Sequence, residues 1–311
     1  MANLSALSSV LPAIVYVNPC AGGGCVLSCV PRIRKVFEAA FVPAEFVFVR
    51  NAQDLESKAV AAIKSGRRLL LALGGDGTFQ ELVNAAYGAD VVLGVLPAGG
   101  GNDFAAGLGL PPDPVAAAEM ILRGETKQVD LVRARTADGR VRLYLGGGGL
   151  GIDAEAARHA NGMFRRLPGR SRYVASALWA FCGCRAIGVK AEFPRSDLPA
   201  MEVNALMAAV LNTPTYGSGI RLAPDARLDD GWLDAVFVED LNVFQVAKLL
   251  PRLARNGELR TPRVKRMRVR AVKVATDRPC MFHGDGEILG PTPVEIEVVP
   301  QAVRVLAPAQ K

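Results

Sequence analysis

The sequence predicts an α/β domain with a parallel sheet, followed by a second domain that is mainly a β-sandwich. In the N-terminal part, short apolar runs alternate with segments of helical periodicity, which is typical of a parallel sheet with helices on both faces. Two neighbouring runs end in glycine turns, and beyond about residue 126 alternating runs joined by turns indicate antiparallel strands. With 311 residues, of which 50% are hydrophobic, the chain can form two cores.

The first element is a strand that ends in a glycine loop. Ala13–Val17 is a short apolar run, and Asn18 and a loop that contains Gly22 follow it. We predict a helix, a strand and a second helix next, over about 31–40, 46–49 and 52–65. A strand, a glycine loop and a helix in this order form a context in which backbone amides can bind phosphate.

The central stretch contains two more strands that end in glycine turns. Leu69–Leu73 is an apolar run, and the segment after it repeats apolar side chains at helical spacing. A second run, Val91–Leu96, also ends in a glycine turn. The residues of the two turns and their flanks are Gly74, Gly75, Asp76, Gly77, Thr78, Gly99, Gly100, Gly101, Asn102 and Asp103.

Phosphate binding is the chemistry that these turns favour. Glycines let the backbone approach a polyphosphate, and the amides and dipole at a helix N-terminus favour negative charge. Asp76 and Asp103 fit such a site if Mg²⁺ lies between the carboxylates and the phosphate. The alternative is a pair of ordinary βα turns, in which glycine satisfies a positive φ and aspartate caps a helix. Two such turns in tandem favour the phosphate site.

The pattern changes near residues 126–128, where we place the domain boundary. A helix begins after Asp113 and ends near Arg123. Val129–Arg135 and Arg140–Leu145 then read as a hairpin around Asp138-Gly139. Further on, we predict helices over 154–161, 171–184 and 242–254, and strands over 202–211, from 232 and over 294–306. The helix over 171–184 is either ordinary core or the wall of a lipid-accepting cavity.

Four motifs resemble those of the diacylglycerol kinase catalytic domain family, in particular the bacterial soluble lipid kinases. They are GGDGT at 74–78, LPAGGGNDF at 96–104, APDARLDDGWLD at 223–234 and DGE at 285–287. The resemblance covers nearly the whole chain. It implies a fold like that of NAD kinase and diacylglycerol kinase, with domains over 1–126 and 127–299 and a tail, 300–311, that returns to the first domain. The family usually has threonine where this chain has Gly100.

The resemblance implies a kinase that uses ATP and Mg²⁺ to phosphorylate a lipid hydroxyl, such as that of diacylglycerol. ATP would be bound by Asn18, Gly22 and the turn residues from Gly74 to Thr78 and from Gly99 to Asp103. By position, Asp285 corresponds to the general base, and Glu287 would orient that base or assist with metal. Asp76, Asp103 and Asp130 would hold the catalytic Mg²⁺.

The resemblance also implies a structural Mg²⁺. Its ligands would be the Asp230 carboxylate and the backbone carbonyls of Arg227 and Trp232. One carboxylate with carbonyls and waters is a plausible ligand set for this cation. The alternative is an Asp-Asp-Gly turn that needs no metal.

The charge of the chain favours an anionic partner. The formal net charge is +7, and basic residues are frequent over 259–274, where Arg268 and Arg270 share one face of a predicted strand. This face is either solvated or binds anionic lipid headgroups. Nucleic acid is not expected, because aromatic residues do not alternate with the basic ones. With no apolar stretch of about 18 residues, we expect a cytoplasmic protein that associates peripherally with the inner membrane face.

Three other functions remain open at this point. A kinase for a soluble substrate, such as an NAD kinase, shares the GGDG motif. A nucleotide- or lipid-binding regulator without catalysis is suggested by Gly100 alone. A nucleic-acid binder rests only on charge. An exposed edge strand in the second domain would favour a homodimer.

Overall fold

The computed structural model describes residues 12–151, 186–217, 219–241 and 261–309. The chain divides into two units. We call Met1–Val129 with Gln301–Lys311 the first unit, and Asp130–Pro300 the second unit. The helices predicted over 154–161, 171–184 and 242–254 lie outside the described residues. The predicted fold class, a parallel α/β domain and a β-sandwich domain, is confirmed.

Strands and helices are numbered here in chain order. The strands are β1 (Ala13–Val17), β2 (Ala44–Phe48), β3 (Leu69–Gly74), β4 (Val92–Pro97), β5 (Glu125–Arg135), β6 (Val141–Tyr144), β7 (Gly147–Gly151), β8 (Ile187–Glu192), β9 (Met201–Leu211), β10 (Leu233–Glu239), β11 (Val264–Val269), β12 (Ala271–Thr276), β13 (Met281–Gly284), β14 (Glu287–Pro291) and β15 (Val294–Ala307). The described helices are α1 (Val26–Ala39), α2 (Ala52–Lys64), α3 (Asp76–Ala86), α4 (Asp103–Gly107) and α5 (Pro114–Leu122). None of these described helices is long and apolar enough to cross a bilayer.

The first unit is built on a parallel sheet in the order β4-β3-β1-β2. The C-terminal part of β15 adds to β4, also in parallel, through Arg304 and Val305. Every residue of β1, β3 and β4 is buried, as expected for parallel strands that are covered on both faces. Because all strands run the same way, their carboxyl ends lie at one edge of the sheet.

Helix capping follows the local sequence, with one correction. The Asn51 side chain accepts a hydrogen bond from the Asp54 amide and begins α2, and the Asp113 side chain does the same for α5. Helix α1 begins at Val26, five residues before the predicted start, and Pro31 lies inside it. The reason is an apolar face that continues upstream of the proline, formed by Val26, Val30, Ile33 and Phe37, all buried in the unit.

The second unit is an antiparallel, β-rich structure. One path of paired strands runs β14-β13-β7-β9-β8-β12-β15, and β10 pairs with β9 and β11. The predicted hairpin around Asp138-Gly139 is confirmed by the antiparallel pairing of β5 with β6. A second hairpin joins β13 to β14 through Asp285 and Gly286, whose φ values are 48° and 90°. Asp-Gly favours such a two-residue turn with positive φ at both positions.

Candidate active site

Three glycine loops of the first unit lie side by side at the carboxyl ends of its strands. They follow β1, β3 and β4, and β3 pairs with each of the other two strands. The residues predicted to bind nucleotide in these loops therefore occupy one edge of the sheet. Ligands of open α/β sheets bind at this edge.

The backbones of these loops approach each other more closely than side chains would allow. A Cβ atom added to Gly99 would lie 2.5 Å from the Cα atom of Gly75, and one added to Gly75 would lie 3.1 Å from the Cα atom of Gly99. A Cβ atom on Gly22 would lie 2.8 Å from the carbonyl oxygen of Ala98. These close approaches of the main chain favour glycine at Gly22, Gly75 and Gly99.

Polar side chains fix the shape of the loops. The Asn18 side chain donates to Thr78 Oγ1 at 2.9 Å and accepts from the Cys20 amide at 3.0 Å. Asn102, with a φ of 59°, accepts from the Gly99 amide at 2.9 Å and donates to the Gly99 carbonyl oxygen at 3.0 Å. These contacts hold the turns in place, so the two asparagines shape the site from within the protein.

Asp76 connects the second turn to the third. Its Oδ2 accepts from the Asp103 amide at 3.1 Å, and its Oδ1 accepts from the Phe104 amide at 3.2 Å. The carboxylate thus caps α4 from a different part of the chain. From the sequence, helix capping and metal binding are alternative roles for this aspartate. A carboxylate has about four acceptor positions, so capping does not prevent Asp76 from also binding a cation.

Asp130, in the second unit, holds an acidic turn. It is fully buried; its Oδ2 accepts from the Gly231 amide at 2.6 Å, and its own amide donates to the Leu228 carbonyl at 2.7 Å. These two bonds fix both sides of the Asp229–Gly231 turn. Within the described ranges, no group of three or more histidine, cysteine, aspartate or glutamate side chains is arranged to hold a metal ion.

Asp230 forms an ion pair where the resemblance implied a structural Mg²⁺. Its Oδ1 accepts from the Trp232 amide at 3.1 Å, and its Oδ2 lies 2.5 Å from Nη2 of Arg268. The Arg268 guanidinium also lies 5.3 Å from the Trp232 ring centroid, and that of Arg270 lies 4.6 Å from it. A cationic group therefore already neutralises this carboxylate. The carboxylate has further acceptor positions, so the metal site predicted from Arg227, Asp230 and Trp232 stays a prediction.

The basic residues of β11 and β12 are held by partners within the second unit. Glu239 pairs with Lys265 at 2.8 Å and with Arg263 at 3.7 Å. Arg266 donates to a backbone carbonyl, and Lys273 pairs with a glutamate. The paired state of this face favours the solvated alternative over a lipid headgroup patch.

Asp285 is bound by a row of backbone amides. Its Oδ2 accepts from Leu145 N at 2.7 Å, and its Oδ1 accepts from Gly146 N at 2.9 Å and Gly147 N at 3.2 Å. Three amide donors favour the charged carboxylate and fix its orientation. Glu287, two residues later, is exposed at the start of β14.

The negative charge of Asp285 also affects the neighbouring Tyr144. Burial, and in second place this charge, raise the pKa of Tyr144 well above its usual value. The Tyr144 hydroxyl donates to the Val210 carbonyl oxygen at 3.1 Å. The amides of Leu145–Gly147 were not predicted as partners of Asp285. Their only local signal was the glycine run after Leu145, which lets the main chain approach a charged group closely.

Comparison with known proteins agrees with this arrangement. The diacylglycerol kinase catalytic domain model matches residues 12–134, and the YegS C-terminal NAD kinase beta sandwich-like domain model matches residues 148–307. The chain belongs to the YegS-like diacylglycerol kinase family. The lipid kinase class predicted from the motifs is thereby confirmed.

Curated relatives of this diacylglycerol kinase family member cover most of the chain. It is 29% identical over 260 residues to a diacylglycerol kinase of Mycobacterium tuberculosis, covering 83% of this chain and 82% of the relative. It is 25% identical over 301 residues to one of Bacillus subtilis, covering 96% of each. A crystal structure of a diacylglycerol kinase from Bacillus anthracis matches with a TM-score of 0.72 and 20% identity over 95% of this chain and 96% of that one.

Proposed function

We propose that this protein transfers the γ-phosphoryl group of ATP to the hydroxyl of a lipid, with diacylglycerol as the first acceptor to test. The observation that carries the proposal is the backbone contact between Gly75 and Gly99 at the carboxyl edge of the sheet. The names of the curated relatives support diacylglycerol as acceptor.

In this proposal the three glycine loops bind the phosphates of ATP. Backbone amides supply the donors, and Asn18, Thr78 and Asn102 keep the loops in shape. Asp103, with Asp76 beside it, would hold Mg²⁺, because hard oxygen ligands shared with a phosphate suit this cation. When bound, Mg²⁺ neutralises the charge that develops on the transferred group. Gly100 supplies backbone without the hydroxyl that the family usually has there.

Asp285 acts as the general base in the proposal. Its charged carboxylate accepts the proton of the lipid hydroxyl as the oxygen attacks phosphorus. The three backbone amides fix the orientation of the carboxylate. Glu287, which directly follows the hairpin turn, helps to orient it.

The proposal places the protein in the cytoplasm, in peripheral contact with the inner membrane face. The net charge of +7 supports attraction to anionic lipid. Strand β14 ends one path of the second unit's paired strands, and we propose that it pairs with a second copy in a homodimer. Vesicle sedimentation with and without anionic lipid, and light scattering of the free protein, test these two points.

An ATP-consumption assay tests the proposed reaction. Diacylglycerol, phosphatidylglycerol, a sphingoid base and a polyprenol are each presented in mixed micelles with Mg²⁺. Asp285→Asn is the test variant, and Asp138→Asn, in the other Asp-Gly hairpin, is the matched control. We expect turnover by the wild type and by Asp138→Asn on one lipid, and none by Asp285→Asn.

The other outcomes separate the alternatives. Full activity of Asp285→Asn would refute its assignment as the base. Binding of ATP without turnover on any lipid would support a regulator, with Gly100 as the suspected cause. Phosphorylation of NAD in place of lipid would support a soluble-substrate kinase.

A further inference from the structure

Asn212 is a buried side chain outside the motifs that carry the proposed function. It directly follows β9, and none of its surface is exposed. Its Nδ2 donates to the carbonyl oxygen of Leu145 at 3.0 Å and to that of Asp130 at 3.1 Å. Its backbone amide donates to the Gly146 carbonyl oxygen at 2.7 Å. Because carbonyl oxygens only accept, these contacts define which way the amide group points.

The two carbonyls of residues 145 and 146 belong to the peptide planes that bind Asp285. In a trans peptide the C=O and N–H bonds point in opposite directions. The plane whose carbonyl is held by Asn212 Nδ2 therefore presents the Gly146 N–H, which donates to Asp285 Oδ1 at 2.9 Å. The backbone N–H of Asn212 holds the carbonyl of the next plane. That plane presents the Gly147 N–H, which donates to Asp285 Oδ1 at 3.2 Å.

We propose that Asn212 is a positioning residue for the Asp285 carboxylate, an inference that rests on the proposed function of Asp285 as base. Asn212 holds the carbonyl end of both peptide planes whose N–H ends bind Oδ1. The two hydrogen bonds of each plane polarise each other, so fixing the carbonyl strengthens the donor on the opposite side.

The chemistry of the site explains why an asparagine is present. Residues 146 and 147 are glycines, so no side chain of their own restrains these planes. A Cβ atom on Gly146 would lie 3.2 Å from Asp285 Oδ1, which is too close for ordinary packing, so the restraint must come from elsewhere. A primary amide offers two N–H donors from one atom, and here both are used on carbonyl oxygens.

The oxygen atom of the side-chain amide, Oδ1, indicates that Asn212 is not optimised for folding stability alone. Asn212 Oδ1 is buried and has no hydrogen-bond partner among the described residues. Burial of an unpartnered acceptor costs folding free energy. The hydrogen bond from Nδ2 to the Asp130 carbonyl attaches the Asn212 side chain to a regular strand, β5.

Asn212→Asp is the sharpest test. The replacement has nearly the same shape but puts a carboxylate oxygen opposite two carbonyl oxygens, so both donors are lost. We expect kcat for lipid phosphorylation to fall about 100-fold, since misplacement of a catalytic group by about 1 Å has this effect. KM for ATP should stay within about twofold of the wild type, because the change leaves the glycine loops of the first unit intact.

Two further variants separate positioning from general damage. Val272→Ala, in the core of the second unit, serves as a control for lost thermal stability and should keep kcat. Asn212→Ala removes the same donors without adding a charge, and it replaces Asn212→Asp if that variant does not fold. A kcat for a folded Asn212 variant that equals the Val272→Ala value would overturn the proposal.

A readout independent of activity distinguishes this inference from the proposed function. In protein labelled with ¹⁵N-glycine, the amide resonances of Gly146 and Gly147 report their hydrogen bonds to Asp285. We expect both to shift in Asp285→Asn, the Gly146 resonance to shift in the Asn212 variants, which keep the backbone amide that holds the Gly147 plane, and both to stay in place in Val272→Ala. An unshifted Gly146 resonance in the Asn212 variants would overturn the positioning role, even if the wild type is a lipid kinase. If the resonances shift in a protein without lipid turnover, Asn212 still positions the Asp285 carboxylate, but the proposed reaction is refuted.

Discussion

Replacing Gly99 with alanine tests whether the glycine turns hold the phosphates of ATP. The new Cβ atom would lie 2.5 Å from the Cα atom of Gly75 and 2.9 Å from Asn102 Oδ1. Ordinary contact between carbon atoms is about 3.5 to 4.0 Å, so the two turns must separate by about 1 Å. The Gly75 atom belongs to the backbone and cannot move aside as the end of a flexible side chain can. Asn102 Oδ1 is a side-chain atom, but its hydrogen bond with the Gly99 amide holds it in place. Overpacking of this kind costs about 1–3 kcal/mol of folding free energy.

The effect on nucleotide binding follows from the same displacement. A hydrogen bond between a backbone amide and a charged phosphate contributes about 1.5–3 kcal/mol. Loss of one such bond raises KM for ATP about 10- to 100-fold. We expect this rise in a steady-state assay, together with a weaker ATP dissociation constant by calorimetry. Thermal unfolding in the absence of nucleotide measures the separate cost to stability.

Gly94→Ala is the matched control for this experiment. Gly94 lies in β4, the strand that leads into the same turn, and its added Cβ atom would lie 2.9 Å from Leu71 Cδ2. That contact involves the flexible end of a side chain within the core, away from the turn. We expect a loss of stability with a KM for ATP within about twofold of the wild type. A folded Gly99→Ala protein with an unchanged KM would refute phosphate binding by this turn.

Substitutions of Phe41, Tyr16, Tyr144 and Arg268 test individual features of the fold. Phe41 has a φ of 56° and is 90% exposed, so its backbone is strained while its side chain adds little packing. Phe41→Gly should raise the free energy of unfolding by about 1 kcal/mol in urea titrations. Phe41→Ala keeps the strained backbone and should not raise it. Burial raises the pKa of Tyr16 to about 12, and its hydroxyl has no partner among the described residues. Tyr16→Phe should therefore stabilise the folded protein by about 1 kcal/mol at pH 7. Tyr144→Phe loses a hydrogen bond and should destabilise the folded protein. Because folded Tyr16 keeps its proton from about pH 10 to 12 while the unfolded chain releases it, wild-type stability should fall over this range, and less so in Tyr16→Phe. Finally, Arg268→Met removes the counter-charge of Asp230, and the Tm of this variant should rise by about 2 °C when millimolar Mg²⁺ is added. A Tm of the nucleotide-free wild type that depends on Mg²⁺ would count against the ion pair.

Strands β1, β3 and β4 could be predicted closely because each is a continuous buried run. β1 has the predicted bounds, and β3 extends one residue beyond its predicted end. The start of α1 could not be predicted as well, because Pro31 satisfies the usual signal for a first helical turn. The apolar face from Val26 to Phe37 outweighs that signal, since burial of four side chains contributes more than the one hydrogen bond lost at a proline.

Long-range hydrogen bonds explain what the sequence could not predict about the site. The meeting of the glycine loops follows from parallel pairing alone, and was therefore accessible to sequence reasoning. Asp76, in contrast, caps amides that lie 27 and 28 positions away, and the Leu145 amide that binds Asp285 lies 140 positions away. Such partners depend on how strands align, which local propensity does not determine. The ion pair between Asp230 and Arg268, 38 positions apart, could not be predicted for the same reason.

The two Asp-Gly hairpins show how identical local chemistry leads to different roles. In the first, the Asp138 carboxylate accepts from the Thr136 hydroxyl at 2.6 Å and from the Arg140 amide at 3.4 Å, so its partners lie within the same hairpin. The Thr136 bond also holds the pKa of Asp138 below its usual value. An aspartate satisfied by its own turn can be replaced at a cost to that turn alone. In the second, the Asp285 carboxylate accepts from the amides of Leu145–Gly147, which lie outside its own hairpin. Asn212 in turn holds this segment. Because its orientation is determined by the tertiary structure, only the second aspartate can be aimed at a substrate, and only there should a neutral replacement affect the rate of reaction more than it affects stability.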